Sequence, residues 1–188
     1  MKSLPDDAVL IIIDMQEGFD EPAWGNRNNP QAEENAARLL DAWRQAGRPI
    51  IHVRHDSVMP GSPLRPGQPG NDIKAPVAPQ GDEPVISKNV NSAFIGTDLE
   101  DRLRKAGLNT LVIVGLTTDH CVSTTARMAG NLGFETYVVS DATATHDREG
   151  YDGAKHPAEE IHRTALASLH GEFATVVDTD SLLGAPAS

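Results

Sequence analysis

The 188-residue chain has a single cysteine, no cluster of lysine and arginine, and no apolar run long enough to cross a bilayer. Each lack removes a class of function. One thiol, Cys121, cannot form an intrachain disulfide framework or a CxxC redox pair. A reducing compartment follows, and the cytoplasm is the expected location. A formal net charge of −11 repels phosphate backbones and anionic lipid. Without a basic patch, neither nucleic acid nor a membrane is an expected partner. The opening stretch MKSLPDDAVLIIID carries too short an apolar run for a signal peptide. The sequence also has no internal repeat and no low-complexity tail.

What is present is ordinary for a globular chain: 39% hydrophobic and 23% charged residues. The length suits one compact domain spanning 1–188. Residues 8–14, AVLIIID, form a continuous apolar run, the pattern of a strand buried on both faces. Residues 30–47 place Ala36, Leu39, Leu40, Trp43 and Ala46 at helical spacing, with Gly47 as the stop. Further strands are expected at 48–55, 109–115, 135–142 and 173–179, with a sixth near 85–87. Further helices are expected at 97–107, 121–132 and 157–171, the first opened by a Thr97/Glu100 capping box. Strands alternating with helices predict an α/β fold: a doubly wound, mostly parallel sheet of five to six strands with helices on both faces. Residues 55–84 break the rhythm with seven prolines and four glycines. A linker between domains is one reading, but neither flank has the length for a separate core. The favoured expectation is an ordered loop over a site.

Ligands of open α/β sheets bind at the carboxyl ends of the strands, so polar residues there are the candidates. The first strand ends in Asp14, followed by Gln16; the second ends in Arg54, His55 and Asp56. Lys88 follows the long loop, and the strand at 109–115 leads to Cys121. The segment after 135–142 supplies Asp141, His146 and Asp147. A lone cysteine is usually an inert apolar residue. Placed in the first turn of a helix, however, it meets unpaired amides and the positive dipole end, which favour a thiolate and a bound oxyanion. Asp14 is equally a helix cap or a catalytic carboxylate, and Lys88 alone reads as a solvated lysine. His52 and His55, three apart on a strand, point to opposite faces and disfavour a shared ion; no metal is expected.

Taken together, LIIIDMQEGF (10–19), K88 with VNSAF (90–94) and VIVGLTTDHCVSTTARMAGNLGF (112–134) resemble the isochorismatase-like cysteine hydrolases. The likeness extends to HRTALASLHGEFATVVDT (162–179). It implies Cys121 as nucleophile, Asp14 as its base, and Lys88 as the charge that keeps both ionised. It also implies an oxyanion hole built from the backbone amides of Thr117 and Cys121, with a cis peptide bond between Leu116 and Thr117. Family members commonly form homodimers or tetramers.

The departures narrow the expectation. Isochorismatases proper cleave a vinyl ether and lack the cysteine, so Cys121 favours hydrolysis of an amide. Nicotinamidases carry an Asp-x-His metal element after the second strand, where this chain has His55 and Ser57. The metal-free, carbamoyl-type amidases therefore fit better, and no cofactor is expected. The expected substrate is a small amide or ureido compound, held by candidates Gln16, Arg54, His55 and Arg65 and walled by Phe19, Trp24 and Phe94. Arg54 is equally a structural ion-pair residue, and the aromatics are equally core. A vinyl-ether hydrolase, a phosphoacceptor receiver domain and a catalytically silent scaffold are the competing readings.

Overall fold

The computed structural model describes residues 4–184. Its centre is a six-stranded parallel sheet ordered β3-β2-β1-β4-β5-β8. The strands are β1 (Val9–Ile13), β2 (Ile50–His55), β3 (Val85–Lys88), β4 (Thr110–Leu116), β5 (Glu135–Ala144) and β8 (Thr175–Val177). A two-residue-per-strand hairpin, β6 (Arg148–Glu149) and β7 (Lys155–His156), stands apart from it. The helices are α1 (Ala32–Ala46), α2 (Leu99–Lys105), α3 (Ser123–Asn131), α4 (Ala158–Leu169) and α5 (Thr179–Leu183).

The apolar run of β1 explains why both faces are covered. Its side chains alternate, so Leu10 and Ile12 enter one core with Leu39, Leu40 and Trp43 of α1. Val9, Ile11 and Ile13 enter a second core with Leu99 and Leu103 of α2, Ala126 of α3 and Leu166 of α4. All five β1 residues are buried. The strand β3 reads differently because it lies at the sheet edge: Ile86 and Lys88 face inward while Val85 and Ser87 are exposed.

The strand order reverses between β1 and β4, so the two connections leave in opposite directions and open a crevice at the carboxyl edge. Close approach of these strands depends on Gly115, whose φ is +135°. A Cβ there would lie 2.0 Å from the Ile13 carbonyl oxygen, so no other residue fits without parting the strands.

The segment 55–84 is a built wall. Asn71 donates to the carbonyls of His55 (3.1 Å) and Leu64 (2.8 Å), and the Lys74 amide donates to Met15 (2.9 Å). Lys74 Nζ bonds Asp20 and Glu33, and Leu64 and Val77 are buried. Two expectations at element ends change. Thr97 donates its hydroxyl back to the Ala93 carbonyl and Glu100 pairs with Arg104, so no capping box forms at α2. Asp178 caps α5, a helix at 179–183 that the sequence patterning does not announce.

Candidate active site

Asp14, Lys88 and Cys121 come from three separate strand ends and meet at the reversal of the sheet. Asp14 directly follows β1 with φ of +50°, a left-handed conformation uncommon for a residue with a side chain. Its amide donates to the Val53 carbonyl (2.9 Å) and its carbonyl accepts from the Gln16 amide (2.8 Å), which hold it there. Lys88 ends β3 on the inward face. Its ammonium donates to Asp14 Oδ2 (2.5 Å), His55 Nδ1 (3.0 Å) and Cys121 Sγ (3.4 Å).

Cys121 does not sit in the first turn of α3. It belongs to a π-helical turn, Thr118–Val122, between β4 and that helix, a wide turn of the kind often found at functional sites. The peptide bond between Leu116 and Thr117 is cis. Thr118 is tied from below by His162 of α4 (Oγ1 to Nδ1, 2.8 Å), which fixes the turn against the body of the protein. Among the described residues, the amide of Thr117 has no protein acceptor, and Cys121 follows it within the turn. The Thr117 amide is thus free to bind an oxyanion.

The electrostatics differ from what helix-dipole reasoning predicts. Burial, then the Asp14 charge, push the Cys121 thiol well above the usual thiol range, and Lys88 offsets only part of this. That direction favours a thiol at rest, opposite to the thiolate that the helix-start amides favour. Burial raises the Asp14 carboxyl to about 6 against the opposing pull of Lys88. Above that pH the carboxylate is charged, and its Oδ1 is buried without a hydrogen-bond partner. An acceptor in need of a proton thus lies beside a thiol that holds one.

Cys121 and Thr117 open into a pocket of about 380 Å³, with Asp14 and Lys88 buried behind the sulfur. Phe19, Trp24, Met59, Pro63 and Leu64 make its apolar wall, while His55, Asn91, His120 and Arg148 supply polar groups. Phe19 and Trp24 pack with ring centroids 5.4 Å apart. Arg148 is held by Asp119 (3.1 Å), itself in the π-helical turn. A larger groove of about 880 Å³ lies at the opposite, amino-terminal edge of the sheet. Its cations Arg44, Arg48, Arg102 and Lys105 are each paired with a carboxylate, and no nucleophile lines it.

Residues 8–181 match the family model for the isochorismatase domain. The chain belongs to the isochorismatase family. It is 49% identical over 174 residues to an uncharacterized isochorismatase family protein of Bacillus subtilis, covering 93% of each chain. A crystal structure described as an isochorismatase-family hydrolase, from Chromobacterium violaceum, superposes with a TM-score of 0.95 at 47% identity, over 98% of this chain and 96% of the other. Nicotinamidase 3 of Arabidopsis thaliana is 31% identical over 188 residues, covering 93% of this chain and 86% of its own. The chain is an isochorismatase-family hydrolase with the family's mostly parallel α/β sheet.

Several residues expected near the substrate lie elsewhere in this family member. Gln16 is fully buried and clamps the loop, bonding the His55 backbone at both its carbonyl (3.1 Å) and amide (2.8 Å) and the Asn71 carbonyl (3.0 Å). Arg54 forms the structural ion pair, with Asp56 at 2.9 Å, and does not line the pocket. Phe94 stacks on Phe134 in the second core (5.8 Å between centroids). Arg65 is exposed and also away from the pocket wall. Asp141 and Asp147 serve structure, bonding Thr179 and the start of α4. Asn91, His120 and Arg148 line the pocket with polar groups, and sequence reasoning did not select them as substrate ligands. Arg148 follows Asp147 by one residue, so the rule of polar residues past the strand end would have reached it one step later.

Asp14, His55 and Cys121 form a group of three converging metal-ligand atoms, all within 4.8 Å of one another. The Lys88 ammonium already bonds each of those residues. A divalent cation would have to displace a buried positive charge there, so the residues present do not fit a resident metal.

Proposed function

We propose that this hydrolase is a metal-independent cysteine amidohydrolase that cleaves a C–N bond of a small amide, ureido or carbamoyl compound through a thioester. The observation that carries the reading is a buried thiol beside an unsatisfied carboxylate oxygen, with the free Thr117 amide lining the same pocket as the sulfur. Asp14 takes the Cys121 proton as sulfur attacks the carbonyl carbon. The amides of Thr117 and Cys121 donate hydrogen bonds to the oxyanion, and the protonated Asp14 returns its proton to the departing amine. Asp14 then takes a proton from water, which adds to the thioester carbon. Collapse releases the acid and restores the thiol. Lys88 steadies the negative charge as it moves between carboxylate and sulfur. No cofactor enters the sequence, and the only ligand it needs is the small-molecule substrate.

The name of the Arabidopsis relative, a nicotinamidase, supports amide chemistry in the family. The location we propose is the cytoplasm, and the assembly a homo-oligomer with no nucleic-acid or membrane partner. Among the described residues no helix is long and apolar enough to cross a membrane. The exposed Val58 and Met59 at the pocket rim are the kind of surface a second copy covers. The raised Asp14 carboxyl favours one second reading, in which it protonates a vinyl ether directly. A panel of small amides and ureido compounds, scored by ammonia release, separates the two. Turnover is expected to rise with pH through about 6, as Asp14 loses its proton and becomes a base, and to fall to background in Cys121→Ala. Vinyl-ether cleavage surviving in Cys121→Ala, with no amide hydrolysed, would support the second reading instead.

A further inference from the structure

The third partner of Lys88 has a use that the thioester chemistry leaves open. A lysine ammonium has donors only, so the His55 Nδ1 it contacts at 3.0 Å has to be the acceptor. A neutral imidazole that accepts at Nδ1 carries its proton on Nε2. Among the described residues Nε2 has no protein partner, and His55 lines the pocket next to Thr117 and Cys121. The His55 backbone is clamped by Gln16 at both its amide and carbonyl, so the ring is held from behind as well as from the side.

We infer that Lys88 locks His55 into a neutral, Nε2-protonated form that acts as a fixed hydrogen-bond donor to the substrate. The inference rests on the amidohydrolase reading and narrows its substrate class. A compound that fits carries an acceptor, such as a second carbonyl, an ether oxygen or a ring nitrogen, close to the scissile carbonyl. A compound that turns a donor or a cation toward His55 leaves two hydrogens opposed and is rejected. Burial and the Lys88 charge hold the imidazolium pKa at about 4, so the donor stays neutral across the working range of pH. The other groups facing the ring, Asp14 and Asp56, attract a proton but do not reverse this.

Two measurements test the inference. Long-range proton–nitrogen NMR of the wild-type protein is expected to show His55 protonated on Nε2 alone between about pH 5 and 8. A proton on Nδ1, or an imidazolium near neutral pH, would overturn it. The second compares burst acylation of Cys121 by p-nitrophenyl methoxyacetate and p-nitrophenyl butyrate, each corrected for its own rate with hydroxide. These acyl groups match in size, and only the first has an ether oxygen near the carbonyl. The wild type is expected to prefer methoxyacetate by about fivefold. That ratio is expected to collapse to about one in His55→Phe and to return in part in His55→Gln. An equal ratio in wild type and His55→Phe overturns the donor role while leaving the cysteine hydrolase standing. No acylation by either ester overturns the hydrolase reading itself, and this one with it.

Discussion

Replacing Lys88 with methionine is expected to cost about 3–5 kcal/mol of folding stability at pH 8 and to reduce amide turnover to background. The side chains of Lys88 and Asp14 are both fully buried and in contact at 2.5 Å. Methionine fills the volume but leaves the carboxylate charge with no counter-charge in a site that excludes water. The carboxyl, already raised to about 6 by burial, then rises further and is protonated at pH values where the wild type is ionised. The sign of the pH dependence follows. In acid, the wild type holds an ammonium beside a neutral carboxyl and the variant holds a neutral pair, so the stability gap narrows as pH falls toward about 6 and is level below it. Urea unfolding of both proteins at pH 8 and pH 5 measures this. A gap below about 1 kcal/mol at pH 8 would mean that the pair is hydrated and that Lys88 is not organising the site.

Asp14→Asn is expected to move two activities in opposite directions. The Asp14 charge is second only to burial in holding the Cys121 thiol up. Its removal leaves Lys88 unopposed beside the sulfur, and an opposite charge at that range lowers a pKa by about 1–3 units. Alkylation of Cys121 by iodoacetamide at pH 8 should therefore quicken by about tenfold or more, because the thiolate is the reacting form. Amide turnover should fall by about a hundredfold or more, because the asparagine cannot carry a proton from sulfur to the departing amine. Slower alkylation in Asp14→Asn would show that the carboxylate stabilises a thiolate already present, contrary to the electrostatics of the buried site.

That electrostatic point also marks where sequence reasoning stopped. The buried strands were legible because β1 and β4 are unbroken apolar runs, and the helices because their apolar spacing ends at Gly47 and Gly133. The site trio was legible because the carboxyl edge of a parallel sheet gathers polar residues, and Asp14, Lys88 and Cys121 do converge there. The thiol's resting state was not legible. Helix-start amides favour a thiolate, but how deeply the sulfur is buried, and that its neighbour is a carboxylate, are facts of packing. The pocket wall escaped for a similar reason. Met59, Pro63 and Leu64 reach the pocket only because Asn71 and Gln16 pin the loop, and neither residue's side-chain bonds can be read from spacing. Gln16 looked like a substrate ligand because it follows Asp14 by two residues, yet that position is where the loop is fastened.

The central claim is that Cys121 carries the acyl group during hydrolysis, and intact-protein mass spectrometry after acid quench tests it most directly. With a turned-over amide or ureido substrate, the wild type should gain the mass of the acyl group, mapped to the peptide containing Cys121. Cys121→Ala should gain nothing and release no ammonia. Ammonia release by Cys121→Ala at the wild-type rate would contradict the account and return the site to acid chemistry by Asp14 alone.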